Sequence, residues 1–113
     1  MDQIMSLTHH IHDALVDKKA QDIVVLSVKG ISSFADYFII ATGTSTTHMN
    51  GLADGVEEAL DKLGITMKHK EGRSLGGWLL LDYRDVIVHI FNAETRDYYA
   101  LERIWNDATR LKL

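Results

Sequence analysis

Trp78-Leu79-Leu80-Leu81-Asp82-Tyr83-Arg84-Asp85-Val86-Ile87-Val88-His89-Ile90-Phe91 is the most apolar part of the second half of the chain and dictates how its strands pair. It holds two apolar runs, Trp78 to Tyr83 and Val86 to Phe91, with only Arg84-Asp85 between them. Strands joined by so short a link must pair antiparallel, as a hairpin. Side chains alternate across a strand, so Trp78, Leu80 and Asp82 share one face and Leu79, Leu81 and Tyr83 the other. Both sets belong to a core only if both faces are covered. His89, inside the second run, reads as a hydrogen-bonded structural histidine.

Upstream, Tyr37 to Ala41 is an apolar run without alternation, ending at Thr42-Gly43, which is the pattern of a strand buried on both faces. Asp22 to Val28 is a β-branched run closed by Lys29-Gly30 and gives another strand. Between these strands and the hairpin, Thr44, Ser45 and Thr46 offer N-cap side chains. Beyond them Met49, Leu52, Ala53, Val56, Leu60 and Leu63 form a stripe closed by Gly64, which predicts a helix over about residues 46 to 63. Ile65 to Lys70 alternates and is expected as a half-exposed strand near an edge, able to pair across a two-fold axis into a homodimer. Residues 71 to 77, Glu71-Gly72-Arg73-Ser74-Leu75-Gly76-Gly77, read as a flexible link.

The ends read as helices. Ile4, Leu7, Ile11, Ala14 and Leu15 recur at helical spacing up to about Lys19. From Glu94 onward Tyr98, Leu101, Ile104, Trp105 and Ala108 fall on one helical face, predicting a terminal helix packed on the sheet. The expected architecture is therefore α/β, a mixed five-stranded sheet flanked by helices, in a single domain over residues 1–113.

The inventory excludes several chemistries. The chain has no Cys, so disulfide scaffolds, thiolate zinc sites and cysteine nucleophiles are out. Net charge is -4, with 12 basic against 16 acidic residues and no Lys/Arg block, which argues against a nucleic-acid groove and for a basic protein partner. The start, Met1-Asp2-Gln3-Ile4-Met5, lacks a basic region followed by an apolar one, and no apolar run is of membrane-spanning length; the cytoplasm is the expected compartment.

Four groups of residues admit both a functional and a purely structural role. His9, His10 and His12 place two imidazoles at i, i+3, which suits a metal, but ligands of convincing geometry do not join them; a solvated helix face is preferred, and no metal or other cofactor is expected. Gly43-Thr44-Ser45 entering a helix suits a phosphate, and a nucleotide-binding enzyme is the alternative function it supports. The strands offer no pair of carboxylates two apart on one face, since Asp82 and Asp85 are separated by a turn, so capping is the preferred role for Thr44 and Ser45 and no catalysis is expected. Trp78 is either core or an interface anchor. If one sheet face stays open, Trp78 and Leu80 form an apolar patch there, with His69 and Lys70 at its rim. Asp54, Glu57, Glu58 and Asp61 on the second helix, balanced only by Lys62, are either a soluble surface or a field that steers a basic partner.

In order along the chain, several segments resemble the Iojap or ribosomal silencing factor (RsfS) family. They are Ala35 to Ser45, Glu71-Gly72, Gly77 to Tyr83, Asp85 to Phe91 and Tyr98 to Trp105, and the resemblance spans about Asp22 to Trp105. The chain departs from the family pattern at Arg84, where Gly is common, and at Thr47 and Gly51, where Arg and Ala are typical. The resemblance implies a fold like that of nucleotidyltransferases without the catalytic acids. It also implies a mechanism of occlusion. Members bind the large ribosomal subunit through its fourteenth ribosomal protein and keep the small subunit from joining, which represses translation under nutrient limitation. On that basis Trp78, Leu80 and Asp82 are expected as sheet-face contacts, with His69, Lys70 and Glu71 around them.

Overall fold

The computed structural model describes residues 3–101 and 108–113. The hairpin forms as expected: Trp78–Asp82 pairs antiparallel with Val86–Phe91, Leu80 lying opposite His89. Asp82 holds its turn, accepting the Arg84 backbone N–H at 2.7 Å while Arg84 takes a φ of 73°. A side chain is thus accommodated in the left-handed region, where Gly is usual, because the neighbouring carboxylate ties the backbone down.

In chain order the elements are α1 (Gln3–Asp17), β1 (Gln21–Ser27), β2 (Tyr37–Thr42), α2 (Thr46–Asp61), β3 (His69–Arg73), a 3-10 turn (Ser74–Gly76), β4 (Trp78–Asp82), β5 (Val86–Phe91), α3 (Ala93–Tyr99) and β6 (Thr109–Leu111). The sheet is mixed and six-stranded, ordered β3-β4-β5-β2-β1-β6, with β2 and β5 parallel and every other neighbour antiparallel. Every residue of β2 is buried, as its unalternating sequence requires of a central strand. The result is a single α/β domain.

Three expectations need correction. The strand expected at Ile65–Lys70 is displaced to His69–Arg73. Ile65 and Met67 instead pack against the core ahead of it, and the supposed flexible link Glu71-Gly72-Arg73 is ladder, pairing with Leu80, Leu79 and Trp78. Main-chain pairing with the exposed edge of β4 outweighs the side-chain pattern there. The sheet gains a sixth strand, because Thr109–Leu111 lies along the open edge of β1, with Leu111 opposite Val25. The helix expected from Glu94 onward is interrupted: α3 ends at Tyr99, where Ala100 turns left-handed with φ 47° and donates its backbone N–H to the Arg96 carbonyl. Of the apolar face expected on that helix, Tyr98 is instead 82 % exposed, and Ile104 and Trp105 lie outside the described residues.

Both long helices lie on one side of the sheet. Ile11 and Leu15 from α1 and Met49, Leu52, Val56 and Leu60 from α2 meet Tyr37, Ile39, Leu79, Leu81, Val88 and Ile90 in the main core. The opposite face carries a smaller cluster, built on Val24, Leu26, Phe38, Ile40 and Phe91, against which Trp78, Ile87, Leu101 and Ala108 pack only partly buried.

Gly72 joins the fold to this second face. Its φ is 86°, and a Cβ there would be driven into the carbonyl of Trp78 on β4. Gly72→Ala should lower unfolding free energy by at least about 2 kcal/mol, combining left-handed strain with a backbone clash. Urea denaturation checks this, and a change below about 0.5 kcal/mol, the scale of an ordinary surface substitution, would contradict it.

Candidate interaction face

Alternation along β3 and β4 sorts the expected contact residues. Trp78, Leu80 and Asp82 stand on the sheet face away from α1 and α2, and their cross-strand partners Arg73, Glu71 and His69 stand beside them. Lys70 does not join this group. It pairs opposite the core residue Leu81, and its Nζ reaches Glu57 of α2 at 3.3 Å, on the helix side. The structure thus brings five of the six together and sets the sixth on the other face. Neighbouring residues of a strand point oppositely, so His69 and Lys70 could not both have rimmed one patch.

An open recess of about 290 Å³ lies on this face, lined by Glu71, Gly72, Arg73, Gly76, Trp78 and Leu80. Arg73, Gly72 and Gly76 were not foreseen; once β3 is known to run to Arg73, alternation places Arg73 beside Trp78. Around the recess the polar groups hold one another. His69 lies between two carboxylates, Nε2 at 3.2 Å from Glu71 Oε1 and Nδ1 at 3.4 Å from Asp82 Oδ2. Asp82, with a side chain only 13% exposed, therefore braces both His69 and the Arg84 turn.

Behind the recess is an aromatic cluster. The Trp78 ring centroid lies 4.7 Å from that of Tyr99, 5.1 Å from Phe91 and 5.8 Å from His89. Trp78 Nε1 donates to His89 Nδ1 at 3.1 Å, so the structural hydrogen bond expected of His89 is present. Phe38 crosses the imidazole in a T-shaped contact at 5.1 Å. These rings leave His89 almost without water, and burial pushes its pKa down from 6.5 to about 4. Tyr99 was missed because the terminal stretch was read as one long helix with Tyr98 inward; the shorter α3 turns Tyr99 onto Trp78.

The helix side differs in character. Asp54, Glu57, Glu58 and Asp61 line its outer surface with Lys62. The Tyr83 hydroxyl is pushed up to about 12, by burial first and then by Glu57 and Asp61. Thus the acidic surface and the aromatic recess lie on opposite sides of the sheet.

The other candidate chemistries find their donors and ligands engaged or apart. Gly43 N–H donates to the Phe91 carbonyl, Thr44 N–H to His48 Nδ1, and Ser45 Oγ accepts the His48 N–H as the N-cap of α2. His48 Nε2 in turn donates to the Lys18 carbonyl at 2.9 Å, tying α2 to the end of α1. His9, His10 and His12 lie on α1, where His12 Nδ1 sits 3.3 Å from Asp13. Among the described residues no three His, Cys, Asp or Glu side chains gather in a way that could hold a metal ion. Nor is any helix among them long and apolar enough to cross a membrane.

The buried imidazole makes stability pH-dependent. Because its pKa is lower folded than unfolded, the unfolded chain binds the extra proton between pH 6.5 and about 4. Stability attributable to neutral His89 is therefore full above pH 6.5 and is lost as pH falls toward 4, by roughly 2–3 kcal/mol. Comparing urea unfolding of the wild type and His89→Gln from pH 7 to 4.5 isolates the effect from the other histidines. The wild type should lose more stability over that range than the variant, and parallel curves would contradict the burial argument.

Comparison with known proteins agrees with this architecture. Residues 2–113 match the family model described as "Ribosomal silencing factor during starvation". The chain is 42% identical over 92 residues to the ribosomal silencing factor of Bacillus subtilis, covering 81% of this chain and 78% of that protein. It is 40% identical over 101 residues to the one from Halalkalibacterium halodurans, covering 89% and 86%. A crystal structure of a Chromobacterium violaceum protein superimposes with a TM-score of 0.88 at 34% identity, over 94% of this chain and 88% of that one. A family-model match over residues 2–113, with relatives of 40% and 42% identity over most of the chain, places this chain in the ribosomal silencing factor family, RsfS.

Proposed function

We propose that the chain docks on the large ribosomal subunit through the sheet face bearing Trp78 and Leu80, and that its bulk then keeps the small subunit from joining. The observation that carries this reading is the apolar recess beside a partly buried Trp, on the sheet face that neither long helix covers. Tryptophans in such settings are the commonest interface anchors. The partner on the subunit is its fourteenth ribosomal protein. Leu80 supplies apolar contact, while Glu71, His69 and Asp82 form a polar rim around it. Lys70 lies outside this contact and serves the ion pair with Glu57.

Occlusion requires thickness, and the molecule supplies it with extents of 34 × 33 × 24 Å. A body of that size held on the joining surface prevents two large faces from closing without any chemical step. In this reading the fold is a nucleotidyltransferase-like framework used without catalytic acids: Asp82 and Asp85 flank a turn, and Asp82 is engaged by the Arg84 amide. The compartment is that of the ribosome, the cytoplasm, and the occasion is nutrient limitation. Edge-to-edge dimerisation along β3 is opposed by the charges of Lys70, Glu71 and Arg73, which guard an exposed edge.

Cosedimentation with isolated large and small subunits tests the proposal. The protein should pellet with large subunits, and its presence should leave added small subunits unjoined. Trp78→Ala should weaken large-subunit binding by more than about 2 kcal/mol, or about 30-fold. Pelleting with neither subunit would refute the docking; binding that leaves joining unaffected would refute the occlusion.

A further inference from the structure

His89 Nε2 is a buried side-chain atom with no hydrogen-bond partner among the described residues. The tautomer follows from its neighbour. An indole nitrogen only donates, so Nδ1, at 3.1 Å from Trp78 Nε1, accepts. The neutral ring then carries its proton on Nε2, where it is buried without an acceptor. A buried polar group left unpaired costs stability, and an apolar side chain of similar shape would avoid that cost. What imidazole provides here and an apolar ring would not is the acceptor at Nδ1.

That acceptor governs the orientation of Trp78. Phe91 and Tyr99 contact the indole at centroid distances of 5.1 and 4.7 Å, but ring contacts of this kind do not tell the N–H edge of the indole from its other edges. The directional bond to His89 does. It fixes which edge of the indole faces the recess. Without it the indole N–H would be left unpaired beside the recess that Trp78 lines with Leu80 and Gly72.

We propose that His89 is a positioning residue for the docking face: its Nδ1 holds the Trp78 indole in the orientation that the large-subunit partner recognises. This rests on the reading that Trp78 anchors the partner. His89 itself does not contact the partner.

Two measurements test it. The first uses ¹⁵N-labelled wild-type protein alone, with the Trp78 indole signal identified by its loss in Trp78→Phe. A scalar coupling between Trp78 Nε1 and His89 Nδ1, and an indole proton exchanging slowly with water, are expected; exchange at the rate of a free indole would overturn the proposal whether or not any variant folds. The second compares binding to isolated large subunits. His89→Leu should lose at least about tenfold in affinity, and His89→Gln, which restores an acceptor, should stay within about threefold of wild type. Both variants should keep the wild-type circular dichroism spectrum. Equal binding by folded His89→Leu and wild type, with Trp78→Ala still impaired, would overturn the positioning role and leave the docking reading intact. Failure of wild type to bind would remove the docking reading itself.

Discussion

Two long helices can bury only one face of a six-stranded sheet, and the character of this molecule follows from that shortfall. α1 and α2 pack side by side over β2, β4 and β5, and their contacts with Leu79, Leu81, Val88 and Ile90 form the main core. The other face must reduce its exposed apolar area by different means. Near the sheet centre it does so with rings: Phe38, His89, Phe91 and Trp78 shield one another, and the short α3 adds Tyr99. Toward the β3 edge the shielding stops, and the recess beside Trp78 and Leu80 remains. An interaction face is what is left where a limited set of helices meets a wide sheet.

The two sides of the sheet divide the labour. The helix side carries the carboxylates of α2, which keep the surface hydrated; burial raises the Tyr83 hydroxyl pKa there, and Glu57 and Asp61 add to it. On the other side, His69 is held between Glu71 and Asp82 at the edge of the recess. Polar groups fixed in this way favour register, and an aromatic anchor behind them supplies contact area with little loss of rotamer freedom. Asp82 illustrates how closely fold and face are joined, since one carboxylate fixes both the β4–β5 turn and the orientation of His69.

What could be read from the sequence depended on how each element is held. β2, β4, β5 and α2 are held by apolar side chains, and their patterns identified them within a few residues. The same alternation puts Trp78, Leu80 and Asp82 on one face from the sequence alone. β3 is different: all five of its residues are exposed, and main-chain pairing with β4 holds them, so hydrophobic pattern misplaced the strand toward Ile65 and Met67. β6 is three residues, Thr109–Leu111, drawn to the free edge of β1, and three residues carry no period. Arg73 and Tyr99 were hidden by these two boundary errors. The bond between Trp78 and His89 joins residues on adjacent strands, legible only once the hairpin register sets Trp78 opposite Phe91 and Leu80 opposite His89.

Amide hydrogen exchange on the free protein and on its complex with isolated large ribosomal subunits distinguishes the two sides of the sheet as docking surfaces. If the uncovered sheet face is the docking surface, protection should rise at His69–Arg73, Ser74–Gly76 and Trp78–Asp82 while the outer turns of α2 exchange as before. Protection concentrated on α2, with β3 and β4 unchanged, would place the partner on the acidic helix side and contradict the account.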